Sequence, residues 1–165
     1  MTSVLEPLID RMLNGDRSAL ARLFTLIERD PGRIPPLMKA IHPHTGSAYV
    51  IGLTGPPGAG KSTLADGLVR PPRAGGSSVG VIAVDPSSPI RGGAVLGDRI
   101  RLGRHALDQG VFVRSMATRG AHGGLSRVSA AGVRLLDAFG EDFVVLESVG
   151  VGQTELDVMH VADTV

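Results

Sequence analysis

Two rhythms of apolar residues divide the chain. Leu5, Leu8, Ile9, Met12 and Leu13 recur at helical spacing, and Asn14-Gly15 ends that run. Leu20, Leu23, Phe24 and Ile27 repeat the spacing behind Asp16, a residue type that caps helix N-termini. The two runs predict an antiparallel helical hairpin. Asp30-Pro31-Gly32 breaks the second helix, Pro35-Pro36 opens a short third element, and residues 42–47 read as a linker. From Tyr49 the rhythm changes to short apolar runs alternating with longer helical stretches. Tyr49-Val50-Ile51-Gly52-Leu53, Val79-Gly80-Val81-Ile82-Ala83-Val84, Val111-Phe112-Val113 and Phe143-Val144-Val145-Leu146 read as strands. Runs this continuously apolar imply strands covered on both faces, hence an α/β fold with a mostly parallel sheet. Residues 98–109 read as helical, and Leu125, Val128, Gly132, Leu135, Leu136 and Phe139 line one face of a further helix. The division is therefore an N-terminal helical segment with its linker over 1–47, then an α/β domain over 48–165.

The segment between the first strand and its helix carries the chemistry. Gly55-Pro56-Pro57-Gly58-Ala59-Gly60-Lys61-Ser62 fits G-x-x-x-x-G-K-[ST], and Thr63 follows at the start of a helical stretch. Strand, glycine-rich loop, helix is the context of a P-loop NTPase. Glycines let successive backbone N–H groups turn inward on an anion, and the helix adds its N-terminal donors. Lys61 is then placed to bridge the β- and γ-phosphates and Ser62 to put its hydroxyl on Mg²⁺. Of 17 basic residues only Lys39 and Lys61 are lysines. A compact ammonium fits between two phosphates where a planar guanidinium does not.

Ligands of such folds sit beyond the carboxyl ends of the strands. Gly55, Asp85, Arg114 and Glu147 are expected there, from four separate segments. Asp85 and Glu147 each close an apolar strand, which suits a carboxylate holding Mg²⁺ directly or through water. Turn capping explains either one taken alone. Asp98 fits a helix N-cap as well as a metal role. Gly150 allows a backbone N–H to approach the γ-phosphate, and Gln153 has an amide able to orient water.

Composition bounds the rest. A chain of 165 residues with net charge +1 carries no broad polyanion-binding signal, so nucleic acid is not favoured. Without cysteine there is no disulfide framework and no thiolate metal site. The N-terminus lacks a signal pattern, and no stretch approaches the ~20 apolar residues that span a bilayer. These features predict a soluble, cytoplasmic protein without a membrane partner.

The motifs in order resemble one family, the methylmalonyl-CoA mutase-associated GTPases, also known as MeaB, ArgK or LAO/AO transport kinases. The resemblance runs from the loop at 52–63 through Ala83-Val84-Asp85-Pro86-Ser87-Ser88-Pro89 and Gly92-Gly93-Ala94-Val95-Leu96-Gly97-Asp98-Arg99-Ile100. It continues in Arg114-Ser115-Met116-Ala117-Thr118-Arg119-Gly120 and Glu147-Ser148-Val149-Gly150-Val151-Gly152-Gln153. It implies a GTP- and Mg²⁺-dependent accessory protein that gates an adenosylcobalamin-dependent mutase, homodimeric in the full-length family. Lys61 and Ser62 take the phosphate and Mg²⁺ roles, with Asp85, Asp98 and Glu147 around the metal. Loops around 119–124 and 150–153 become the nucleotide-sensitive switches.

Two departures stand out. Pro71-Pro72 falls where the helix after the loop should continue, so that helix is expected to end near Val69. No Asn-Lys-x-Asp or Thr-Lys-x-Asp guanine-reading segment is present, and Val161-Ala162-Asp163-Thr164-Val165 looks like the onset of another strand. Both features suggest an N-terminal fragment. The phosphate loop alone does not separate GTP from ATP. An ATP-dependent transport kinase and a degenerate, partner-binding fragment without hydrolysis therefore stay open. A nickel-insertion chaperone fits less well, because the five histidines are scattered; His105 and His160 read as helix-surface residues and His122 as a loop residue.

Overall fold

The computed structural model describes residues 4–85, 105, 107–117, 127–148 and 154–165, with backbone alone at Asp85, Ala117 and 154–156. Helices α1 (Leu5–Leu13) and α2 (Arg17–Arg29) form the hairpin that the apolar spacing predicts. Asp16 caps α2, accepting from the backbone N–H of Ser18 at 2.8 Å and of Ala19 at 3.1 Å. Hydrogen bonds from Ser18, Arg11 and Ala19 hold its carboxyl well below the ordinary range. A 3-10 turn at Pro31–Arg33 leads into α3 (Ile34–Ile41), whose prolines sit in the first turn, where a missing N–H costs little. Residues 46 and 47, read as linker, are pinned together with Ala48. The carboxylate of Asp137 accepts from the N–H groups of Gly46 (2.6 Å), Ser47 (3.1 Å) and Ala48 (3.0 Å), fixing where the chain enters the sheet.

The sheet is parallel throughout, in the order β1-β4-β2-β3: β1 (Tyr49–Leu53), β2 (Val79–Asp85), β3 (Val111–Ala117) and β4 (Phe143–Glu147). All four expected strands are present. The chain end lies beside β1, where Thr164 bridges Ile51 in parallel and Asp163 accepts from the Val50 N–H at 2.8 Å. Helix α4 (Lys61–Ala74) covers one face, packing Ala65 and Val69 on Leu53, Val79, Val81 and Val145. Helix α5 (Arg127–Phe139) covers the other, together with α1, α2 and α3, in one continuous core that includes Phe24, Ile82, Met116, Leu136 and Leu146. Gly132 lets the α5 backbone approach closely, since a Cβ there would stand 2.7 Å from Phe24. Short helix α6 (Thr154–Met159) packs on β1 through Val158. Among the described residues no helix is long and apolar enough to cross a membrane.

Three expectations are corrected. Helix α4 does not stop near Val69 but runs through Pro71 and Pro72 to Ala74. Its far end is held from outside: Arg73 grips Asp108 with two bonds of 2.8 and 2.9 Å and donates to the Ser77 carbonyl at 2.7 Å. That bidentate pair, which holds the Asp108 carboxyl at about 2, offsets the helix bonds the prolines cannot make. Arg114 is not at a strand end. β3 continues to Ala117, and Arg114 faces the helical hairpin, paired with Glu28 and bonded to Thr25 at 3.2 Å. Of the helix expected over 98–109, the described residues 105 and 107–109 form turns, the rest lying outside the described residues.

Glu141, between α5 and β4, is buried at the sheet end opposite the phosphate loop. Burial pushes its carboxyl from 4.5 up to about 7, against the pull of Ser78, Arg17 and Arg73. Between those values the folded state keeps a proton that the unfolded chain has lost, so stability falls as pH rises through that window. The loss is at most about 3 kcal/mol. The Glu141→Gln variant is expected to lose most of this decline, read as urea midpoints measured from pH 5 to 8.

Candidate functional site

The loop between β1 and α4 has the backbone its sequence requires. Gly55 sits at φ 137° and Gly60, the N-cap of α4, at φ 89°. Nothing crowds a Cβ at Gly60, so the demand there is backbone conformation rather than space. Helix α4 begins at Lys61, and its opening turn presents N–H groups and the positive dipole end toward the loop. Pro56, Pro57, Gly58, Ala59 and Gly60 are exposed, as is Thr63 in that first turn. The Lys61 ammonium spans the loop, donating to the carbonyls of Gly55 at 2.7 Å and Pro56 at 3.1 Å.

Topology supplies the second half. Because β4 lies next to β1, Leu53 pairs in register with Glu147, and the Ser148 N–H donates to the Leu53 carbonyl at 2.9 Å. The buried Glu147 carboxylate therefore meets the start of α4, where the Ser62 hydroxyl donates to its Oε1 at 2.7 Å. Residues 85 apart in sequence thus place a hydroxyl and a carboxylate side by side at the loop. Asp85 ends β2, two positions past Ala83, the β2 partner of Glu147. Asp98, Gly150 and Gln153 lie outside the described residues, as do the loops at 119–124 and 150–153. Among the described residues no three His, Asp or Glu side chains gather to hold a metal ion.

Two hydroxyls escaped the sequence reading. Thr54 Oγ1 and Ser148 Oγ, immediately after β1 and β4, are buried without a hydrogen-bond partner among the described residues. Their position one residue past a buried strand was the available signal. His105 is also corrected. Rather than lying on a helix surface, it is largely buried against α4, its Nε2 2.9 Å from Asp66 Oδ1, while Arg70 takes the other carboxylate oxygen at 2.9 Å. Burial raises the Asp66 carboxyl, but these two partners outweigh it and hold it below its ordinary value. His160 is exposed in the turn after α6.

The arrangement suits a phosphate chain: main-chain donors, one ammonium, and hard oxygen donors at the helix start. A family model described as "Methylmalonyl Co-A mutase-associated GTPase MeaB" matches residues 20–165. The chain belongs to the MeaB family. It is 55% identical over 161 residues to a Pyrococcus horikoshii protein carrying a GTPase name, covering 98% of this chain and 51% of that one. It is 40% identical over 163 residues to GTPase ArgK of Escherichia coli, covering 94% and 48%. It is 38% identical over 161 residues to a fused isobutyryl-CoA mutase of Cupriavidus metallidurans, covering 94% of this chain and 14% of that protein. A crystal structure of an LAO/AO transport system kinase superposes with a TM-score of 0.74 at 32% identity, over 99% of this chain and 49% of that one. This MeaB-family chain thus has the P-loop NTPase fold and spans about half the length of the GTPases it matches.

Proposed function

We propose that this chain is the nucleotide-binding part of a cytoplasmic GTPase that acts as an accessory protein of an adenosylcobalamin-dependent mutase. The observation that carries the reading is the loop of residues 55–62, with the Lys61 ammonium across it and Ser62 joined to Glu147 at its base. Hydroxyl and carboxylate oxygens are the donors Mg²⁺ prefers, so the side chains present fit that ion. Bound with the nucleotide, Mg²⁺ would neutralise charge on the β- and γ-phosphate oxygens.

The chain's own groups divide the remaining work. Backbone N–H groups of Gly55, Pro57-flanked Gly58, Ala59, Gly60, Lys61, Ser62 and Thr63 line the phosphates. Lys61 stabilises charge that develops on the γ-phosphate oxygens as water attacks in line. Ser62 would hold the metal through its hydroxyl, with Glu147, Asp85 and Asp98 as the acidic residues around it. Gly150 offers an N–H to the γ-phosphate, and Gln153 orients the attacking water. The mutase assignment draws its support from the family description and from a relative whose name joins a mutase to a matching segment on one polypeptide. A homodimer is the assembly we expect of the full-length protein.

Steady-state hydrolysis of GTP tests this reading. Turnover is expected to stop on chelation of Mg²⁺ and to fall at least ~100-fold in Ser62→Ala, which deletes the hydroxyl at the phosphates. Turnover indifferent to both changes would refute the mechanism. Displacement of a labelled GTP analogue by equimolar ATP would favour a transport kinase instead, the activity named for the superposed structure.

A further inference from the structure

The arginines of α2 fall into two sets. Arg17 is engaged with the sheet, bonding the carbonyls of Gln109 and Val111 and lying 5.5 Å from the Phe112 ring centroid. Arg22 and Arg29 are exposed and make no hydrogen bond or ion pair with the described residues. Both line an open groove of about 370 Å³ between α1 and α2. Its floor is apolar, from Leu8 and Leu26, and its end carries Arg33, paired with Asp30 at 3.1 Å. Among the described residues that line the groove, three guanidinium groups face one carboxylate, an excess of two positive charges over an apolar strip.

Spacing narrows the occupant. Arg22 and Arg29 are seven residues apart on one helix face, a separation of ~10 Å along the axis. Carboxylates two turns apart on a second helix match that spacing. The leucines between them match the apolar residues such a helix sets between its acidic ones. We propose that the α1–α2 groove docks an acidic amphipathic helix of a protein partner. Arg22 and Arg29 select its carboxylates, and Leu8 with Leu26 take its apolar face. Arginine is enriched among interface anchors, and charge complementarity selects the partner. The groove lies on the hairpin rather than at the strand ends, so the proposal stands apart from the nucleotide reading.

The test is fluorescence anisotropy with a labelled synthetic helix of about 18 residues, long enough to hold its conformation. Two glutamates stand seven apart on one face with leucines between, and a twin carries glutamine in their place. Saturable binding of the glutamate peptide is expected, at least ~10-fold tighter than its twin. The Arg22→Glu/Arg29→Glu variant should lose that preference and bind a lysine version of the peptide instead. Arg22→Gln/Arg29→Gln should lose it without gaining the lysine peptide. Both variants should melt like the parent, because neither side chain has a partner to lose among the described residues. No saturable binding, equal binding of peptide and twin, or displacement by inorganic phosphate at matched ionic strength would overturn the proposal.

Discussion

Lys61→Ala should lower the affinity for a Mg²⁺-bound nucleoside triphosphate at least ~100-fold, equivalent to about 3 kcal/mol. The ammonium is the single lysine at the site, and its two bonds to Gly55 and Pro56 hold it across the loop in the protein alone. On binding it exchanges those carbonyls for phosphate oxygens, which are charged and therefore stronger acceptors. Alanine removes both the point charge and the group that restrains the lip. The side chain is only half-buried and lies outside both apolar clusters, so the fold should survive. Circular dichroism identical to the parent, with binding lost in isothermal titration, is the expected pair of results. Unchanged binding would favour the reading of a partner-binding fragment without hydrolysis.

Phe24→Ala should destabilise the whole chain by about 3–5 kcal/mol, the usual cost of emptying a buried aromatic site. Phe24 is fully buried, stacks on Phe112 of β3 at 5.7 Å, and lies under Arg114 at 5.8 Å. Its ring also fills the space that Gly132 leaves on α5. One side chain thus joins the hairpin, the sheet and the helix behind it. Against a typical total of 5–15 kcal/mol that loss is large. Urea unfolding followed by helix content and by Tyr49 fluorescence should shift together to a lower midpoint. Loss of the hairpin while the sheet signal stays in place would show that the helices are an independent unit.

The sequence was most readable where information is local. The strands follow from runs of buried residues, the cap at Asp16 from its type and place, and Ser62 and Glu147 each from its own segment, although their meeting joins residues 85 apart. It was least readable where a distant partner decides. Pro71-Pro72 has the local signature of a helix end, yet Asp108, over thirty positions away, holds Arg73 and with it the helix. Arg114 follows an apolar triplet and looked like a strand end, but Glu28 on the hairpin claims it. Asp137 reads as one more polar residue on a helix, although it takes three N–H groups from residues 46–48. In each case the decisive contact spans the fold, and no window of neighbouring residues contains it.

The most direct measurement is a crystal structure grown with Mg²⁺ and a non-hydrolysable GTP analogue. The β- and γ-phosphates are expected to seat on the backbone of residues 55–63, with Lys61 Nζ moved from the Gly55 and Pro56 carbonyls onto phosphate oxygen. A loop left empty at saturating analogue, or a triphosphate bound elsewhere with Lys61 still on those carbonyls, would contradict that expectation.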